Sequence, residues 1–211
     1  DSRLPPAEGG ASRESAAAFL PRLPHSKHEA ETILAMVPPE DRWLAMGPAA
    51  TPEAVLQGPL DQYRILHFAT HSRIDESHPE LSSIALSFFD ESGEETAGHL
   101  RLQDLYDLTL RADLVTLSAC ETALGQEVRG EGLMGLTRGF FHAGAARVLA
   151  SLWSIDDRTT AVFMSRLYEE ILRHGRSPAE ALAATQRELA TGNELSEPYQ
   201  WGGLVLQGEW W

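Results

Sequence analysis

With 211 residues, 43% hydrophobic and 23% charged, the chain is long enough for one α/β domain with a substantial core. Its 17 basic and 31 acidic side chains give a formal charge of −14; this leaves no basic stripe to neutralise phosphates and excludes a nucleic-acid binder, while suiting solubility or a basic protein substrate. The single cysteine excludes an intrachain disulfide and a Cys-rich metal site and fits a reducing compartment, and no apolar run approaches the ~18 residues of a membrane-spanning helix.

Residues 1–27 are rich in Pro, Ser, Ala and Gly and read as a flexible lead-in, with the folded domain over 28–211. The start, DSRLPPAEGG, is polar and has no h-region, so a cytoplasmic protein is expected. It also lacks an initiator Met, which points to a fragment or processed product with something upstream. KHEAETILAMV predicts a helix ended by Pro38-Pro39. RWLAM is a short strand candidate. Thr51-Pro52-Glu53 supplies an N-cap, a first-turn proline and an acidic first turn for a helix to about Gln57. YRILHFA (63–69) suits a buried strand, SSIALSFFD a strand and turn, and LRLQDLYDL a helix. DLVTLSA (113–119) is the clearest buried strand. EGLMGLTRGFFHAGA predicts a helix closed by Gly144, and ARVLASLW (146–153) another buried strand. Asp156 or Asp157 caps a long amphipathic helix to about His174, and Ser177-Pro178-Ala179-Glu180 is a capping box that opens the last helix. WGGLVLQGEW ends the chain as a strand.

Strands alternating with helices predict a mostly parallel sheet covered on both faces, whose working residues gather outside the carboxyl ends of its strands. Cys120 and His71 fall at two such ends, after 113–119 and after 63–69. A thiol needs deprotonation to attack, and a neighbouring imidazole can take its proton. The His precedes the Cys by roughly fifty residues, as in caspases, although the caspase sequence around the nucleophile is absent and SACET stands here. The alternative for Cys120 is a small buried hydrophobe. His67 and His71 are four apart, but on a strand, with no Glu after His67 and no third ligand, so a metal site is not expected; His67 reads as a core histidine that could also support the site from one pleat below. The Gly-rich GQEVRGEGLMGLTRG (125–139) lacks the lysine of a phosphate loop and reads as a loop after the nucleophile plus close helix packing. Asp156 and Asp157 in SIDDRTT serve either as helix caps or as a carboxylate floor for a basic substrate side chain.

HFATHS, LSACETALG, EGLMGLTRGFFHAGAARVLASLWSIDD and PYQWGGLVLQGE together resemble the CHAT domain, over roughly residues 28–208. That family, related to separase and caspases and often found with TPR repeats in bacteria, implies a caspase-like three-layer α/β sandwich and a cysteine endopeptidase without cofactor or metal. It implies His71 as catalytic base and Cys120 as nucleophile, with the N–H groups of Cys120 and Ser72 holding the oxyanion. Ser72 stands where the wider clan has Gly; the backbone N–H survives that change. LWSIDD resembles the separase segment LWDVTD, which implies Asp157, then Asp156, at the floor of a pocket for arginine. The loop 125–131 would gate the pocket. The resemblance further implies a protein substrate in signalling or defence, and an upstream or separate chain, such as TPR repeats, that completes or regulates the domain. The alternatives are a catalytically quiet caspase-fold interaction module, which would usually have lost one dyad residue, and a small-molecule thiol hydrolase or transferase.

Overall fold

The computed structural model describes residues 20, 22–75, 78–121, 131–192, 195 and 197–209, with the backbone alone for Pro79, 119–121 and 131–133. Its centre is a six-stranded sheet in the order β3-β2-β1-β4-β5-β6, formed by β1 (Ile65–Arg73), β2 (Ser83–Ala85), β3 (His99–Arg101), β4 (Leu114–Glu121), β5 (Arg147–Ser151) and β6 (Leu204–Gly208). The pairings β1–β4 and β4–β5 are parallel, whereas β1–β2, β2–β3 and β5–β6 are antiparallel. Four of the six strands, β1, β3, β4 and β5, therefore point the same way.

Helices cover both faces, giving the predicted three-layer arrangement. On one face, α3 (Leu102–Tyr106) and α4 (Glu131–Ala143) pack Leu102, Leu105, Leu136 and Phe140 against Leu66, Val115, Leu117, Val148 and Ala150 of the sheet. On the other, α1 (Ser26–Leu34), α5 (Asp157–Leu172) and α6 (Pro178–Thr191) pack Ile33, Phe163, Leu167, Tyr168 and Leu189 against Leu114, Leu149 and Leu204. Alternate residues of β4 and β5 feed the two layers, as the two-residue period of a strand requires. Each fully buried Phe, Leu or Ile contributes about 1.5–3 kcal/mol through removal from water.

The helix signals in the sequence act as expected. Thr51 Oγ1 accepts from Ala54 N at 3.1 Å and opens α2 (Pro52–Gln57). Ser177 and Glu180 form a reciprocal capping box on α6. Gly144, with φ of 110°, closes α4; a Cβ there would stand 2.4 Å from the Leu110 carbonyl oxygen. Helix α1 begins at Ser26, just before the expected boundary at 28.

Two expectations fail. RWLAM (42–46) forms no strand: Trp43 and Leu44 are exposed, and Trp43 lies over Gly58 rather than beside a pairing partner. A short apolar run becomes a strand only where another strand takes its backbone groups. Conversely, the helix read from LRLQDLYDL is split: His99–Arg101 joins the sheet as β3, and only Leu102–Tyr106 is helical. The signal for β3 was its partner β2, which a local reading does not see.

Candidate active site

The geometry arises from how β1 meets β4. The two strands are parallel neighbours, paired from Ile65↔Leu114 to Arg73↔Glu121, with a bulge between Phe68 and His71. Beyond it, His71 is level with Ala119 and Ser72 with Cys120. A bulge adds one residue to one strand and re-aims the side chains beyond it. His71 is buried and precedes the exposed Arg73; the Ser72 hydroxyl is also buried and has no hydrogen-bond partner among the described residues. Only the backbone of Cys120 is described. The stretch after it, with the loop 125–130, lies outside the described residues, and α4 begins at Glu131.

β5 lies on the other side of β4, so the turn after Ser151 leaves the sheet at the same end as His71 and Cys120. Asp156 ends that turn and Asp157 is the first residue of α5. Asp156 is the N-cap of α5; its Oδ1 accepts from Thr159 N at 3.1 Å and from Thr159 Oγ1 at 3.2 Å. Asp157 Oδ2 accepts from the backbone N of His25 at 2.7 Å, tying the entrance of α1 to α5. The capping role read from SIDDRTT therefore belongs to Asp156, while Asp157 holds α1. Trp153, on the same turn, donates from Nε1 to the Tyr199 carbonyl at 2.7 Å and stacks on the Tyr199 ring. Gly203 allows this close approach, since a Cβ there would stand 2.6 Å from the indole.

His67 is a core histidine with both ring nitrogens engaged. Nε2 meets Glu29 Oε1 at 2.6 Å, and Nδ1 meets the Tyr168 hydroxyl at 3.0 Å, which in turn lies 3.0 Å from Thr116 Oγ1. This buried chain links α1, β1, α5 and β4, with Glu29 only 2% exposed. Burial, the largest influence, and the Glu29 carboxylate push the Tyr168 pKa well up, against the pull of its bond to Thr116. Tyr168 is thus a proton donor at any ordinary pH. The sequence does carry a sign of Glu29: it stands four residues before Ile33 and seven before Met36, on the stripe that a surface helix turns inward.

Tetratricopeptide repeat protein 28 of Mus musculus is 29% identical over 192 residues, covering 77% of this chain and 8% of that protein. The Homo sapiens protein of the same name is 28% identical over 192 residues, with the same coverage. The chain thus spans less than a tenth of the length of these relatives. No helix among the described residues is long and apolar enough to cross a membrane. The CHAT domain family model matches residues 6–209, from before α1 to the end of β6, and the chain belongs to the CHAT domain family.

Proposed function

We propose that this CHAT domain is a cysteine endopeptidase that cuts a protein substrate with the dyad His71 and Cys120. The observation that carries the reading is the register at the carboxyl ends of β1 and β4, where His71-Ser72 stands level with Ala119-Cys120 on adjacent parallel strands. Strand ends of this kind are where α/β sheets gather reacting groups. In the reaction, His71 takes the Cys120 thiol proton and the thiolate attacks the substrate carbonyl carbon. The N–H groups of Ser72 and Cys120 hold the oxyanion. The tetrahedral adduct collapses, His71 returns the proton to the leaving amine, and water, deprotonated by His71, releases the acyl group from sulfur. Asp157 and Asp156, on the neighbouring strand end, would receive a basic side chain of the substrate. For Asp157 this means sharing its carboxylate with the N–H of His25. Regulation by upstream TPR repeats draws on the names of the mammalian relatives.

The second reading is an interaction module that uses the same fold without turnover. It is favoured by those same names, which describe repeats and no enzyme. Alkylation of Cys120 by iodoacetamide, monitored by intact mass against pH, separates the two. An assembled dyad alkylates rapidly near pH ~6, and His71→Ala moves the midpoint towards the ordinary thiol value of about 8.5. Slow alkylation indifferent to His71 favours the quiet module.

A further inference from the structure

The outer wing of the sheet carries a feature that the dyad does not use. Arg73, Ser83 and Arg101 are Cα partners in one rung across β1, β2 and β3. The adjacent rung, Ser72, Ile84 and Leu100, faces the α3/α4 core, where Ile84 and Leu100 are fully buried. Strand alternation therefore turns Arg73, Ser83, His99 and Arg101 to the opposite face. There His99 Nδ1 lies 3.2 Å from the buried Ser83 hydroxyl, and the two exposed arginines flank that serine with their Cα atoms roughly 10 Å apart, two strand spacings.

Neither guanidinium has an ion-pair partner among the described residues. Asp104 accepts from the backbone N of Arg101 at 2.7 Å, and Glu121 is the backbone register partner of Arg73 on β4. In a chain of net charge −14, two cations and an imidazole gathered around one hydroxyl are a local reversal of sign. Their effect is felt at His99, whose pKa is held below the ordinary imidazole value by burial first and then by Arg73 and Arg101. Arg73 also comes two residues after His71 on the same face of β1, one pleat from the proposed base.

We propose that Arg73 and Arg101, over the Ser83–His99 pair, form a subsite for a carboxylate side chain of the substrate, an Asp or Glu at a fixed distance from the scissile bond. Planar guanidiniums pair with carboxylates in a fork, and Ser83 and His99 supply the floor of the subsite. The inference rests on the endopeptidase reading and narrows its substrate class to acid-bearing peptides.

The test has two arms, so that failure of each idea is distinguishable. In the first, the full chain is incubated with a peptide library and the cut sites are sequenced. Expected is enrichment of Asp or Glu at one offset, reduced about tenfold by Arg73→Gln or Arg101→Gln and turned towards Lys or Arg by the double charge reversal R73E/R101E. Cutting with no acidic preference, or with a preference that survives both Gln variants, overturns the subsite and leaves the peptidase standing. If nothing is cut, the peptidase reading falls and the second arm decides the subsite alone. There the His99 ring is observed by NMR while a Glu-containing tetrapeptide is added, with its Gln analogue as control. Saturable perturbation and a rise in the His99 pKa, seen with Glu only and lost in R73Q/R101Q, support the subsite; an unmoved His99 overturns it.

Discussion

The two faces of the sheet are closed by different means. Towards α3 and α4 the contact is mainly apolar: Phe140, Leu136, Leu105 and Ile84 meet there, and the buried Thr137 hydroxyl of α4 donates to Gln207 of β6 at 3.2 Å. Towards α1, α5 and α6 the same sheet carries the Glu29–His67–Tyr168–Thr116 chain in the midst of Ile33, Phe163 and Leu167. An apolar layer is non-directional and accepts several packings of similar energy. A buried polar chain accepts only the arrangement in which every member finds its partner. The face that fixes α1 against β1 and β4 is thus the one whose geometry is specified, and it lies beneath the strands that carry His71 and Cys120.

Substitutions on each face put that contrast to the test. The largest effect is expected on the apolar side, where Phe140→Ala should cost about 4 kcal/mol in equilibrium urea unfolding by leaving a cavity. On the polar side, Glu29→Ala should cost about 3 kcal/mol, since it strips a buried imidazole of its partner. Replacing both members, in Glu29→Leu with His67→Leu, should return the loss to about 1 kcal/mol, because two matched apolar groups owe no desolvation penalty. A double variant no more stable than the single one would mean that the polar chain does not act as a unit. Removing the cap of α6 with Ser177→Ala should cost about 1 kcal/mol, leaving the α3/α4 face untouched by hydrogen exchange. The smallest effect concerns His99. Its folded pKa is lowered, so below an ordinary imidazole value of ~6.5 the unfolded chain takes up the proton first. The stability from keeping His99 neutral is present above that pH and is lost as pH falls towards the lowered value. A His99→Asn variant should therefore show a flatter stability profile over that window; identical slopes would contradict the assignment.

What could be read from the sequence divides by the reach of each residue. Residues that act through their immediate neighbours were legible: the caps at Thr51, Asp156 and Ser177, the closing Gly144, and the apolar runs of β1, β4 and β5. Residues that act through distant partners were not. β3 exists because β2 pairs with it, and RWLAM fails as a strand because no strand among the described residues pairs with it. His67 reads as a satisfied core histidine, but its partners, Glu29 and Tyr168, lie far away in the chain. The strands that carry His71 and Cys120 were legible from their apolar runs, but each runs past its expected end and takes the residue in, β1 to Arg73 and β4 to Glu121. The rung joining Arg73 to Arg101 required the register, which no local pattern specifies.

The pairing of β5 with β6 has a consequence for the nascent chain. β1, β4 and β5 are all made by Ser151, yet the free edge of β5 is not closed until Leu204–Gly208 emerges, after α5 and α6. During that interval the growing protein carries the elements of its proposed active site on a sheet with an open, apolar edge strand, the kind of surface that recruits foreign strands and chaperones. Chains shortened before Leu204 should therefore be caught by aggregation rather than released as smaller soluble domains, and the last strand acts as the checkpoint at which synthesis becomes a folded product.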